Sequence, residues 1–392
     1  MLRVYELAAQ IRAAGTSGET LVDRFLASNS MPLVDEDGVV FLFRDRDAKS
    51  SSVHLVHEIT GLESRQEFER LGDSSLFFLP MQIPPEARLE YRIEVSRSGQ
   101  VMSLLDPLNS KRSDCPYGHK SVVAGRAYQE PEFARRRHGV RRGRIMDMEI
   151  DSRIFGEKRR IQVYVPARYK AERQYPLLVV HDGADYVRYS CLDVVLDNLM
   201  HKREMSDLIA VLTDSPDRLS EYKVDPRQGD FLVEEVLPAM ESRFSLERDR
   251  SARALMGASY GGLTSLHTLT RYPDVFGLLL SQSGSFLHAD VRRRGGDAGA
   301  LTDSADDVGP ILRFVEDFCR REHSRKFRFF LSCGRFEPLI FFNRSLLNVL
   351  KRGGFDHRYE ESFDGHNWTS WRDHLAGGLC HLFPGEVLFY YP

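Results

Sequence analysis

Cysteine is scarce in this chain. Five occur in 392 residues, at Cys115, Cys191, Cys319, Cys333 and Cys380; the number is odd and no two stand in C-x-x-C spacing. That excludes a disulfide framework, and the thiols read as reduced, mostly buried side chains of a reducing compartment. Charge of one sign is lacking as well. The net charge is −3, so no global field draws the chain to nucleic acid or to an anionic membrane. No apolar run approaches the length of a membrane span. Glu6 and Arg12 interrupt the one apolar stretch near the start, so no signal peptide is expected and the expected location is cytoplasmic. Repeats and low-complexity tracts are missing. What remains is a chain 42% hydrophobic, enough for two domains with adequate cores.

The most informative stretch that is present runs Leu255-Met-Gly-Ala-Ser-Tyr-Gly-Gly262. Gly257, Ser259 and Gly261 spell G-x-S-x-G between an apolar strand expected over Ala252–Met256 and a helix expected over Leu263–Thr270. A serine on a strand–turn–helix elbow takes strained backbone angles, so its neighbours must be nearly free of side chains. The elbow lifts the hydroxyl above the sheet and aims the amides at the helix start toward one point. Ser259 is therefore the candidate nucleophile, and Cys333 is set aside because the serine is better placed.

A serine hydroxyl needs a base to take its proton, and the base needs a carboxylate to fix its tautomer. Lys326–Leu331 reads as a buried strand followed by Ser-Cys-Gly-Arg-Phe-Glu337; Arg358–Phe363 reads as another, followed by Asp364-Gly-His366-Asn-Trp. His366 is the candidate base and Glu337 the candidate acid, with Asp364 kept open as the alternative acid. His374 and His381 fall on what reads as the last helix and are set aside. The order Ser259, Glu337, His366 is that of an α/β-hydrolase, with both partners on loops leaving the carboxyl edge of the sheet. The oxyanion hole is expected from the amide of Tyr260 and from that of Gly183 or Ala184, in the turn after the apolar run Tyr175–Val180. Asp182, Arg218 and Arg335 are candidate substrate contacts, with Arg227 as a further cation. For Arg218 a bracing role, through Glu221 or Asp214, stands beside the binding role. No metal and no organic cofactor is implied.

These motifs, together with Asp214-Ser-Pro-Asp-Arg218-Leu-Ser-Glu221-Tyr222, Phe231–Pro238, Tyr272–Gly277, Ser281-Gln-Ser-Gly-Ser-Phe286 and Gly365-His-Asn-Trp-Thr-Ser-Trp371, give a chain that resembles the putative-esterase family of α/β-hydrolases. That family includes enterochelin, feruloyl and acetyl-xylan esterases, esterase D-like enzymes and mycolyltransferases. The resemblance covers roughly residues 145–392, and Asp106-Pro-Leu-Asn109 is similar to the close of the N-terminal domain in the enterochelin branch. It implies Ser259 as nucleophile, His366 as base and Glu337 as acid, acting on a small-molecule ester; within the enterochelin branch the ester would be that of a ferric siderophore. Alternatives are an acetyl or feruloyl esterase whose N-terminal module binds glycan, and a binding protein that keeps the fold without catalysis. A peptidase of this fold would need a propeller or large cap that the chain cannot house. Nothing in the sequence selects between monomer and homo-oligomer.

The expected architecture is α/β: a helical segment over 1–30, a small immunoglobulin-like β-sandwich over 31–105, a linker over 106–144, and an α/β-hydrolase doubly wound sheet over 145–392. The sandwich is expected to shape the substrate mouth, since it holds no nucleophile, base and acid of its own. The linker carries six arginines between Arg135 and Arg144, to be read as a solvated connector or as an anion-facing strip.

Overall fold

A computed structural model describes residues 2–14, 18–36, 38–47, 50–288 and 305–385. It divides into two units. The first comprises Met1–Gln129 with Arg335–Glu337 and Ser362–Asn367; the second comprises Glu130–Gly334, Pro338–Glu361 and the chain from Trp368.

In the first unit, a four-stranded sheet has the order β1 (Leu33–Val34), β2 (Val39–Arg44), β6 (Leu76–Met81), β5 (Glu69–Arg70). A second runs β4 (Arg65–Glu67), β3 (Ser50–Val56), β7 (Arg88–Arg97), β10 (Gly118–Ala124), β9 (Arg112–Cys115), with β8 (Gln100–Leu104) also paired to β7. Strand β2 is an unbroken apolar run because both of its faces are covered. Val39, Phe41 and Phe43 join one core with Val53, Leu55, Leu89, Tyr91, Ile93 and Val95. Val40 and Leu42 pack instead with Val4, Leu7, Ile11 and Val22 of the helices Leu2–Ala14 and Gly18–Ser28. Strand β7 has one buried face only and alternates accordingly.

The boundary expected after residue 105 lies further along the chain. Ser121 pairs with Tyr91 as β10 joins β7, and Asp106-Pro-Leu-Asn109 is a turn of the same unit with Asp106 and Asn109 buried. Tyr91 Oη donates to Asp106 (2.6 Å), while Asn109 Nδ2 donates to Tyr91 Oη and to the Val122 carbonyl. Within the basic connector, Arg135 pairs with Glu130 and Arg136 with Asp193. Asn198 holds the carbonyls of Phe133 and Arg135.

The second unit is built on an eight-stranded sheet in the order β11 (Arg144–Ser152), β12 (Glu157–Val165), β14 (Ile209–Thr213), β13 (Leu177–His181), β15 (Arg253–Ala258), β16 (Leu278–Gln282), β17 (Arg328–Gly334), β18 (Asp356–Ser362). Pairing is antiparallel from β11 to β14 and parallel from β14 through β17. Successive residues of β13 enter opposite cores: Leu177 and Val179 one, Leu178 and Val180 the other. A strand between two covered faces must be apolar throughout, which is why these runs lack alternation. The mixed sheet with its helices places the chain in the α/β class. One helical stretch is divided: over Phe231–Val236 the backbone takes the wider π spacing before the short α-helix Leu237–Glu241, where Pro238 has no N–H to continue a regular ladder.

Candidate active site

Ser259 follows β15 directly and precedes the helix Tyr260–Arg271, with φ 56° and ψ −121°. That backbone is left-handed in φ at a residue with a side chain, a strain met where the surroundings over-determine it. The surroundings here are glycines that have no alternative. A Cβ on Gly257 would sit 2.4 Å from the backbone carbon of Gly261, and one on Gly262 would sit 2.3 Å from Ser281 Oγ. The Ser259 N–H donates to the Gln282 carbonyl (2.9 Å), and the Ser259 carbonyl accepts from Ser285 (3.1 Å) and Leu263 (3.1 Å). Gln282 is itself fully buried; its side chain accepts from Tyr186 Oη (2.8 Å) and donates to the Trp371 carbonyl (2.7 Å). The elbow is thus bolted to β16 and to the helix Trp368–Asp373. Ser285 is a neighbour that sequence reasoning did not single out: its hydroxyl lies 3.4 Å from that of Ser259.

The turn after β13 is equally constrained. Asp182 adopts φ 55°, ψ 41°, and Gly183 opens the helix Gly183–Ser190 where a Cβ would stand 2.5 Å from Leu212 Cα. Of the two amides left open for the oxyanion, that of Ala184 donates to Asp214 Oδ1 (3.3 Å). Arg218 and Asp182, both expected to face substrate, face each other. Arg218 Nε lies 2.9 Å from both Asp182 oxygens, and its Nη2 donates to the Ala258 carbonyl (3.2 Å). Of its two readings, this contact is the bracing one, though the partner is Asp182 rather than Glu221 or Asp214. Glu221 is bound by Arg159, with Nη atoms at 2.6 and 3.0 Å. Arg227 is held in the same way by Asp225 (2.6 Å). Burial raises the Asp182 carboxyl to about 6 against the pull of Arg218, and burial lowers the neighbouring His181 imidazole to about 3.

Glu337 and His366 belong to the first unit. The chain leaves β17 at Gly334 and β18 at Ser362, and these exits are stitched by Arg335 N–H to the Ser362 carbonyl (2.8 Å) and Phe336 N–H to the Asp364 carbonyl (3.0 Å). Phe336 enters the core of the β-rich unit beside Phe363, and Arg335 lays its guanidinium over the Phe363 ring, 4.4 Å from the centroid. Between these anchors, Glu337 Oε2 and His366 Nδ1 lie 2.5 Å apart; Glu337 is 2% exposed and the histidine side chain 33%. A carboxylate on Nδ1 fixes the tautomer that leaves Nε2 as the acceptor. Asp364, the alternative acid, is committed elsewhere: it accepts from Gly365 N–H and Asn367 Nδ2 (both 2.7 Å) and pairs with Arg88 at 3.3 Å. His374 pairs with Glu360, and His381 lies 3.8 Å from Asp356. Cys333 is buried in a core cluster. Among the described residues, no three His, Cys, Asp or Glu side chains converge as metal ligands.

Residues 152–291 match the family described as "Putative esterase". That match, with the relatives below, supports an ester hydrolase of enterochelin-esterase type. It is similar to an iron(III) enterobactin esterase of Dickeya dadantii, 25% identical over 96% of each chain. It is also similar to one of Escherichia coli O6:H1, 29% identical over 57% of this chain, where the match spans about half (54%) of the relative's length. Among solved structures, the enterobactin esterase of Shigella flexneri in the presence of enterobactin superposes with a TM-score of 0.71 at 19% identity, over 92% of this chain and 97% of that one. At that identity the likeness speaks for the fold.

Proposed function

We propose that the chain is a serine esterase working through Ser259, His366 and Glu337, and that its substrate is an ester of an iron-chelating siderophore. The observation that carries the reading is the left-handed φ of Ser259 inside a turn where Gly257 and Gly262 admit no side chain. Such strain is retained where a nucleophile must be displayed. In this reading His366 Nε2 takes the Ser259 proton as Oγ attacks the ester carbonyl carbon, and Glu337 steadies the imidazolium that forms. The amides of Tyr260 and Gly183 hold the tetrahedral oxyanion. The C–O bond to the alcohol then breaks, the alcohol leaves with the proton from His366, and an acyl-Ser259 remains. Water, activated by the same histidine, releases the acid and restores the serine.

The substrate class is supported by the relatives named as iron(III) enterobactin esterases, one of them similar along nearly its whole length. The first unit is read as an immunoglobulin-like sandwich, and the cytoplasm as the compartment where an imported chelate is met. A fluorophosphonate probe and a series of p-nitrophenyl esters test the chemistry. The wild-type protein should be labelled at Ser259 and turn over esters, and Ser259→Ala should lose at least about a thousandfold in kcat. Retention of a tenth of the activity would overturn the serine mechanism. Ferric catecholate trilactones compared with acetyl and feruloyl sugar esters test the substrate; a much higher kcat/KM on the sugar esters would replace the siderophore by a glycan ester.

A further inference from the structure

The geometry points to Arg88 as a positioning residue for the acid–base pair: from the first residue of β7 it clamps the loop on which His366 rides. The inference rests on the proposed roles of Glu337 and His366. Arg88 Nη1 donates to Asn367 Oδ1 (3.1 Å) and lies 3.3 and 3.5 Å from the two Asp364 oxygens, while Nη2 donates to Glu90 (2.9 Å). Its backbone N–H donates to the Phe363 carbonyl (2.9 Å). One residue therefore grips positions 363, 364 and 367, and Asp364 passes the grip to Gly365 and Asn367 through its own two bonds. Both neighbours of His366 are fixed. The acid is fixed at the same place. Phe336, next to Glu337, donates to the Asp364 carbonyl, and its carbonyl accepts from Thr60 N–H (2.7 Å).

Core packing alone does not account for this arrangement. The Arg88 side chain is 5% exposed and so is that of Asp364. A buried ion pair is on balance no more stabilising than an apolar pair of similar volume, so its stability contribution alone is a weak explanation for it. What an arginine supplies that a hydrophobe cannot is direction: a planar fork that sets three acceptors on three different residues at once. The groups facing the fork are Asp364, Glu90 and Asn367, with Tyr128 nearby. A loop placed by hydrogen bonds of fixed geometry holds an imidazole to a fraction of an ångström, and displacement by about 1 Å costs a factor of about 100 in rate.

The test uses the full chain with Arg88→Ala, Arg88→Lys and Asp364→Asn, each checked for fold by circular dichroism. Three readings are taken: kcat and KM on p-nitrophenyl acetate, the rate of fluorophosphonate labelling, and the downfield proton resonance of His366 Nδ1–H. In Arg88→Ala, kcat and labelling should fall about 100-fold with KM within about threefold, and the resonance should broaden or move upfield. Arg88→Lys, which keeps the charge and loses the fork, should fall between Arg88→Ala and wild type. A folded Arg88→Ala with wild-type kcat and an unmoved resonance would overturn the inference. If Arg88→Ala does not fold, the other two variants decide by the same readings. A wild-type protein that neither labels nor hydrolyses would overturn the proposed chemistry, while the resonance would still report whether Arg88 holds the Glu337–His366 contact.

Discussion

The serine elbow and the Glu337–His366 pair are built by opposite means. At the elbow the tightest constraints are local: Gly257 meets Gly261, four residues away, and Ser259 bonds Leu263, also four away. The Glu337–His366 pair is held by polar contacts across great sequence distance, with Arg88 on Asp364 276 residues apart and Asn367 three further on. A local constraint fails when one methyl group is added. A distributed one fails when a distant strand changes, and each part of it tolerates more.

Whether the two regions act together is the sharpest test of that contrast. Ser259→Ala and His366→Ala should each lower kcat by at least about 10³-fold, and the double variant should be no slower than the slower single, because a nucleophile without its base and a base without its nucleophile are equally idle. Steady-state kinetics of the three proteins decide it. Multiplying losses would mean that the two residues serve separate steps, and the proposed triad would fall.

Glycine substitutions compare the regions as structures. Gly257→Ala puts a Cβ 2.4 Å from backbone that cannot rotate away, and should destabilise the fold by about 3 kcal/mol or prevent it. Gly365→Ala, beside the histidine, meets only Asn367 Nδ2 at 3.8 Å and should change stability by less than about 1 kcal/mol. Urea unfolding of both proteins is the measurement. A tolerated Gly257→Ala would remove the steric account of the elbow.

The same contrast explains what could be read from sequence. Gly257-Ala-Ser-Tyr-Gly261 encodes its own geometry, since the missing side chains are the constraint. The apolar runs Leu177–Val180, Ile209–Leu212, Ala254–Met256 and Leu278–Leu280 likewise announce a sheet covered on both faces. The pairing of Glu337 with His366 rather than Asp364 followed from strand order. Arg88 carried no signal: nothing near it in sequence marks it, and only the three-dimensional fold brings it to Asp364. The N-terminal unit was expected to shape a mouth; the contacts of Arg88 and Thr60 with the segments that carry Glu337 and His366 were not foreseen. Strands β9 and β10 were folded into a linker because Arg112–Cys115 and its turn are polar and exposed, and a strand lying at a sheet edge needs no apolar run. The partners of the arginines read as substrate contacts were out of reach of the sequence for a related reason. Composition shows a cation but not its counter-ion, and Asp182 lies 36 residues from Arg218.

A smaller effect separates burial from charge pairing in the two regions. Each holds an Asp–Arg pair with a buried carboxyl, Asp182 with the half-buried Arg218 and Asp364 with the buried Arg88. Burial raises both carboxyls from 3.8 to about 6 against the pull of the arginine. Between those values the folded chain binds more protons than the unfolded one. The stability each carboxyl contributes is therefore fully present below pH 3.8 and is lost as pH rises toward about 6, with a slope of at most about 1.4 kcal/mol per pH unit and group. Other carboxylates act in the opposite sense, since Glu19 and Glu360 are lowered by their partners, so the quantity to follow is the difference between wild type and Asp182→Asn or Asp364→Asn. That difference should shrink between pH 4 and pH 6 in both variants, read from urea unfolding at half-unit steps. Should it grow with pH in one of them, the arginine outweighs burial there, and the two pairs differ in how far water reaches them.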